Sequence, residues 1–346
     1  MLSRLYNRIS TGLWIGMLAI LWLAIISGLH FWLNFDHDTR KLVRMGYMPV
    51  VTNLAAPLLD RACEANRPVR YEALKFSSFA EMGEALRNGQ IQAAFIIAPL
   101  SIVLHQQGAG VKIVYIGNRH ESTLVCRKDL QAKTFRDLAR KSIAVPMRYS
   151  GHNIATRLLA EQFGLQGPDL NVVEMNPPDM PSALATGALD AYFVGEPFAA
   201  KTVRANESNV LCYVEQVWPG FICNLMIVRD ELIQNDRETV RDLVHTAARS
   251  GIWAKRNTKS ASEIASKYWN QPIELVEYAM DTPPGRIVFD QFIPKKEEIQ
   301  NLADLMVKFK LLESNDITGL VDDSFARSVN LEGITDLRSI FSEQRK

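Results

Sequence analysis

The sequence predicts an α/β protein built of two similar units in tandem, preceded by one membrane-spanning helix. Three observations carry this reading. Strand-like and helix-like segments alternate after residue 40, and the rhythm restarts near residue 122. Several strand-like segments are nearly continuous apolar runs, as strands buried on both faces require. Residues 9–35 contain no Asp, Glu, Lys or Arg. The 346 residues suffice for about two domains at ~150 residues each. An apolar share of 47% with 22% charged residues is ordinary for a globular chain. The balance of 39 basic against 38 acidic residues supplies no basic face, so nucleic acid is not expected as a partner.

The N-terminal apolar stretch comes first. Residues 13–33 are nearly all apolar, and as a helix they span the ~30 Å hydrocarbon core of a bilayer. Arg4 and Arg8 precede the stretch, and Asp36 and Asp38 follow it. Basic residues favour the cytoplasmic side, which puts the rest of the chain outside. Trp14 and Trp32 sit near the two ends, where interfacial aromatics are common. A cleaved signal peptide and a buried core helix compete with this reading. Signal peptides carry a shorter apolar region of ~7–15 residues and end in small residues; Ser27-Gly28-Leu29-His30 fits that poorly.

The first unit reads as strand 41–48, helix 52–64, strand 69–75, helix 79–88, strand 91–97 and strand 111–116. Ser78 and Glu81 form a capping-box pattern. The second unit reads as strand 124–127, short helix 134–140, strand 142–146, helix 151–163, strand 170–175, helix 180–186, strand 191–194, helix 198–204 and an extended segment 210–214. Such repetition predicts mainly parallel sheets covered by helices. Segments 91–95 and 189–193 look equivalent, each preceded by Gly (Gly89, Gly187) and leading to Pro (Pro99, Pro197). The last third is helical: one helix capped by Asp236 and running to Lys255, then 260–269 and 295–309. It is expected to fold back onto the first unit, with a frayed polar tail at 335–346.

Ligands of open parallel sheets bind beyond the carboxyl ends of the strands. The loops there nominate Tyr47, Met48, Ser77, Ser78, Pro99, Asn118, Arg119, Arg148, Ser150, His152, Asn153 and Glu196. Several lie at helix starts, whose free N–H groups favour an anion. For each serine, ordinary N-capping competes with ligand binding; for each arginine, plain surface charge does. A buried Glu196 needs a donor partner, because an unpaired carboxylate opposes an anion. No G-x-S-x-G, G-x-x-x-x-G-K-[ST] or H-E-x-x-H motif is present, so neither enzymatic activity nor a cofactor is expected. Cys63, Cys126, Cys212 and Cys223 form no C-x-x-C pair, which argues against a metal site. Cys212 and Cys223 could pair, and buried free thiols are the competing reading.

These residues resemble a known family. Gly46-Tyr47-Met48-Pro49 is similar to the opening strand of the nitrate/sulfonate/taurine class of ABC solute-binding proteins. The run from Val145 through Asn153 to Ala160 resembles the second-lobe helix entry of nitrate and bicarbonate binders. The run from Asn176 to Pro197 is the most specific match, and Val217-Trp218-Pro219 resembles the return to the first lobe. The resemblance covers about 41–325 and is densest over 142–200. It implies a type II periplasmic-binding fold with a cleft between lobes. Lobe 1 would be 41–121 plus 219–346 and lobe 2 would be 122–218, with crossovers near 120–123 and 217–221. It further implies capture of a small, anionic solute such as nitrate, bicarbonate or a sulfonate for an ABC permease and its ATPase. The binding portion would sit in the periplasm, held to the bacterial inner membrane by a single-pass helix. That anchor departs from the family, whose members are released or lipid-tethered, and it leaves room for a sensor acting through a membrane partner. Pyrimidine synthases of thiamin biosynthesis share the fold, but their cysteine-rich signature is missing here.

Overall fold

A computed structural model describes residues 11–34, 38–63 and 67–341. Arg4, Arg8, Asp36, the expected helix end at Glu64 and residues 342–346 lie outside these. The chain divides into two units, Met1–Lys41 and Leu42–Lys346. The first contains helix α1, Thr11–Asn34. Its stretch Thr11–Trp32 is 22 residues long with mean hydropathy 2.1, long and apolar enough to cross a membrane. Large side chains such as Ile20, Trp22 and Leu23 are exposed, whereas a core helix hides its apolar surface.

The second unit contains two five-stranded sheets. The first holds β1 (Lys41–Tyr47), β2 (Val69–Lys75), β3 (Ala93–Ile97), β4 (Val111–Ile116) and β10 (Asn224–Arg229), in the order β2-β1-β3-β10-β4. The second holds β5 (Ser122–Arg127), β6 (Ser142–Val145), β7 (Asn171–Glu174), β8 (Ala191–Gly195) and β9 (Ser208–Tyr213), in the order β7-β6-β8-β5-β9. The two orders are the same pattern. β3 and β8 are the equivalent central strands, and every residue of both is buried. Gly89 (φ +74°) and Gly187 (φ +77°) turn the chain ahead of them.

The sheets are mixed rather than mainly parallel. β1 runs parallel to β3, and β6 runs parallel to β7 and β8. β10 is antiparallel to β3 and β4, and β5 is antiparallel to β8 and β9. The reason is topological. β5 and β10 are the strands that arrive from the other sheet, and a strand entering straight from a crossover runs against its neighbours. Neither is preceded by the helix that a parallel connection needs.

Between and after the strands lie α2 (Ala55–Ala62), α3 (Phe79–Arg87), α4 (Ala98–Gln106), α5 (Gly151–Phe163), α6 (Met180–Ala185), α7 (Phe198–Arg204), α8 (Asp230–Asn235), α9 (Arg237–Arg256), α10 (Thr258–Trp269), α11 (Ile273–Asp281), α12 (Lys296–Lys308) and α13 (Ser324–Arg327), and they follow local rules. Ser78 accepts the Glu81 N–H at the start of α3 (Phe79–Arg87). Ser150 caps α5 (Gly151–Phe163), and Gly164 ends it in the left-handed region. The expected helix at 134–140 is a short 3-10 turn, Phe135–Leu138, closed by a Thr134–Asp137 capping box. Four helices escape the sequence reading, α8, α11, α13 and, between β3 and β4, α4. Residues 98–104 of α4 are all buried, so α4 has no polar stripe and its periodicity is silent.

Beyond β10 the chain returns to the first sheet. Helix α9 (Arg237–Arg256), capped by Asp236, and α10 (Thr258–Trp269) share a core with β1 and β3. Helix α12 (Lys296–Lys308) buries Ile299, Leu302, Ala303 and Met306 in the cluster beside α4. The tail differs from expectation within 335–341, where Ile340 and Phe341 are buried. Arg249, 2% exposed, donates to the carbonyls of Asn330, Glu332, Ser339 and Ile340 at 2.7–3.0 Å. Replacing it (Arg249→Met) should cost about 3 kcal/mol in chemical denaturation, since bonds to a charged group each contribute up to ~3 kcal/mol. It should also expose a protease site after residue 328. An unchanged midpoint would mean that Ile340 and Phe341 hold the tail unaided.

Candidate ligand cleft and its buried polar cluster

The chain crosses between the sheets twice, from β4 to β5 and from β9 to β10. The crossovers touch each other where Arg119 pairs with Ile222, and Arg119 also pairs with Val288 in the 282–291 loop. Beside this point lies a cluster of buried polar side chains. Glu121, Ser122, Thr123, His152, Glu196 and Asn224 are each at most 4% exposed.

Glu121 sits just before β5. Its carboxylate accepts the Glu196 N–H at 2.7 Å and fits only because residue 195 is glycine; a Cβ there would stand 2.7 Å from its Oε1. Glu196 follows β8. Its carboxylate accepts the Thr123 hydroxyl at 2.7 Å and the Ala200 N–H at 2.8 Å, the latter at the start of α7 (Phe198–Arg204). Its carbonyl accepts the Val51 N–H at 2.8 Å, joining the second sheet's unit to the first. Arg286 reaches the same spot from the first-sheet side. It donates to the Ser122 carbonyl, Thr123 Oγ1 and Glu215, and lies 3.9 Å from Glu196 and over the Tyr213 ring. His152 Nε2 is 2.9 Å from Ser122 Oγ and 3.8 Å from Cys223 Sγ.

The nominated residues separate into groups. His152 and Glu196 belong to the cluster, and Asn118 joins it through Val51, whose carbonyl accepts its Nδ2. Met48 is buried in an apolar cluster that runs through both sheets' units. Tyr47 packs in the α9–α10 core and donates to the Tyr268 carbonyl. Ser78 and Ser150 are helix caps. Ser77 is exposed, and Pro99 lies in the first turn of α4. Arg119 is committed to the Gly220 and Gln291 carbonyls and to Glu298. Asn153 donates to the Arg148 carbonyl and accepts from Arg157. Arg148 is exposed over the Tyr149 ring. It lines a groove of about 1060 Å³ with His105, Gln106, Tyr149, Lys310 and Asp316, where this turn meets the ends of α4 and α12.

Sequence reading missed Glu121, Ser122, Thr123, Asn224 and Arg286 for the site, and took Cys223 only as a disulfide partner or a buried thiol. A carboxylate directly ahead of the apolar run at 124–126 was a usable signal for Glu121. Arg286 lies in irregular chain, and nothing local marks it.

The model of the NMT1-like family matches residues 39–268. The chain belongs to the NMT1-like family. Among curated relatives, a putative aliphatic sulfonates-binding protein of Bacillus subtilis is 22% identical over 306 residues, covering 84% of this chain and 89% of its own. The nitrate import ATP-binding protein NrtC of Synechococcus elongatus is 24% identical over 232 residues, covering 61% of this chain and 35% of NrtC. The chain thus spans about a third of that relative's length. The periplasmic nitrate-binding protein NrtA of Synechocystis superposes with a TM-score of 0.73 at 16% identity, covering 84% of this chain and 89% of NrtA. That likeness establishes the fold: two lobes of the periplasmic-binding kind.

Electrostatics in the buried cluster of this NMT1-like chain follow from burial. Burial pushes the Glu121 carboxyl up to about 8, with the Glu196 charge adding to the effect and the Cys223 thiol opposing it. Burial also raises Glu196, while the Thr123 hydroxyl, the Ala200 N–H and Arg286 act against it. Those donors favour the ionised form, so of the two carboxyls Glu121 holds the proton. Burial alone drives His152 down to about 3. All four described cysteines are free thiols.

A pH prediction follows. Unfolded, Glu121 titrates near 4.5; folded, near 8. Between these values the folded state holds the extra proton, so its stability falls as pH rises. His152 acts oppositely and lower, removing stability as pH falls from about 6.5 toward about 3. Melting temperature should therefore decline from pH 6.5 to 8, and Glu121→Gln should flatten that decline. A variant with the parent's slope would show that Glu121 does not carry it.

Proposed function

We propose that this chain is the solute-binding component of an ABC import system, held to the bacterial inner membrane by α1 with Leu42–Lys346 in the periplasm. The observation that carries the reading is the junction of the two lobes. Two short crossovers join the lobes, and the Val51–Glu196 bond and Arg286 clasp one to the other. Such an arrangement can open and close on a solute, with the solute favouring the closed state by touching both lobes. The relatives named for sulfonate binding and nitrate import support the transport role. Its partners would be a membrane permease and a cytoplasmic ATPase.

An enzyme reading draws less support. A reactive thiol needs a positive neighbour to ionise. Cys223 has instead the Glu121 carboxyl, which together with burial holds its thiol well above the usual range.

The test is a thermal-shift screen of residues 39–346 against nitrate, bicarbonate, taurine, alkanesulfonates and neutral organic solutes. Ligand at about 100 times its Kd should add ~2.7 kcal/mol of stability, a rise of several degrees. A flat response across all these classes would sink the receptor reading. The anchor is tested separately by washing membranes with alkaline carbonate. Full-length chain should stay in the pellet; a shortened soluble form would show cleavage after α1.

A further inference from the structure

Three segments converge on one imidazole. His120 lies in the first crossover, between β4 and β5, and is half-buried. Its Nε2 accepts the Gly220 N–H of the second crossover at 2.9 Å. A second hydrogen bond joins the ring to the backbone of Arg286, in the 282–291 loop. The neighbouring Arg119 grips Gly220 from its other end, donating Nη1 to the Gly220 carbonyl at 2.7 Å. The backbone is constrained here too. His120 has a φ of +68°, in the left-handed region that a residue other than glycine enters at a cost. Such a conformation persists where the surrounding contacts hold it.

A backbone N–H only donates, so Nε2 is the unprotonated nitrogen of a neutral ring. The bond itself therefore fixes the tautomer. A proton added at Nε2 sets donor against donor and ends the bond. It also places a positive charge beside Arg119 and Arg286. Burial holds the imidazole below its usual 6.5, with Arg119 and Arg286 adding to the effect and Glu215 and the Arg286 backbone opposing it. Glu215 is already engaged by Arg286 at 3.1 Å, and Arg119 is paired with Glu298 of α12 at 3.0 Å. As pH falls below about 6.5, protons thus favour states in which His120 has released Gly220.

The geometry points to His120 as an acid-sensitive clasp between the two crossovers: protonated, it lets Gly220 go and loosens the hinge on which the lobes turn. This goes beyond the receptor reading and rests on it for the hinge motion. Release also frees the loop carrying Arg286, whose bonds to the Ser122 carbonyl and Thr123 Oγ1 tie the lobes. Glu121, next in sequence, works the other way. Its carboxyl, folded near 8, keeps its proton below pH 7 and favours the dry, closed seam. His152 titrates far lower, near 3.

Hydrogen–deuterium exchange of the full chain in detergent micelles tests this, with rates corrected for the intrinsic pH dependence. Protection over 216–223 should fall severalfold from pH 7 to pH 5, while β3 and β8 keep theirs. His120→Asn should remove the fall, because asparagine enters the left-handed region readily and its amide does not titrate. In Glu121→Gln, where the opposing carboxyl is gone, protection over 49–54 should fall as well, since Val51 N–H bonds Glu196 across the lobes. Constant protection over 216–223, an equal fall in β3 and β8, or a parent-like fall in His120→Asn overturns the clasp. Unchanged protection over 49–54 in Glu121→Gln overturns the step from crossovers to lobes. None of these readings needs a solute. A flat thermal-shift screen beside an acid-labile Gly220 removes the receptor reading alone, and solute binding beside an acid-stable Gly220 removes the clasp alone.

Discussion

Glu196 touches both lobes. Its carbonyl accepts Val51 N–H from the first lobe, its amide donates to Glu121, and its carboxylate holds Thr123 and the start of α7. A carboxylate this deeply buried survives only if its lone pairs are met and a countercharge is near. Arg286 is that countercharge, 3.9 Å away, and it comes from the 282–291 loop. The same loop pairs through Val288 with Arg119 on the crossover. Burying one charge at the seam thus fixes the loop, the crossover and the entry to α7 together.

This arrangement sets the energetics of opening. On the hinge side, separation must break the Arg286 contacts with Ser122, Thr123 and Glu215 and the Val51–Glu196 bond. Arg286 and Glu196 are nearly dry, so an exposed partner must be rehydrated before the loss is made good. Elsewhere the lobes are linked by Lys308 and Glu161, both about half exposed, and such a pair contributes little. The buried apolar cluster that runs through both lobes adds to the resistance, because opening exposes part of it to water. Any ligand bridging the lobes would act on this balance only through its difference in affinity for open and closed forms. The protonated Glu121 adds a second influence, because opening that wets it lets the proton leave.

Much of the fold was legible because it is written locally. Gly89 and Gly187 ahead of apolar runs located the two central strands, and Ser78 and Ser150 located helix starts. What escaped was non-local. The antiparallel direction of β5 and β10 follows from which sheet each enters, and no pattern within Ser122–Arg127 or Asn224–Arg229 states it. Helix α4 lost its signature by being buried all round. In the site, His152 and Glu196 could be nominated because they follow strands. Arg119 looked like an anion ligand for the same reason, yet its guanidinium is spent on Gly220, Gln291 and Glu298. Only a partner about 100 residues away in sequence, or more, distinguishes those two fates.

Cys223 and His152 lie 3.8 Å apart, a spacing at which a thiol and an imidazole could exchange a proton. Nucleophilic cysteines depend on the ion pair that this exchange creates, stabilised by positive charge and partial exposure. The surroundings here work against both charges. Burial lowers the imidazole to about 3 and raises the thiol, and Glu121 raises the thiol further. Phe193 and Phe221 meet the His152 ring edge to face at 5.6 and 5.7 Å, leaving little to solvate an imidazolium. The pair is therefore held neutral, with Cys223 donating to Asn224 Oδ1 and His152 Nε2 bonded to Ser122 Oγ at 2.9 Å. Held this way, neither group carries the charge that nucleophilic attack needs.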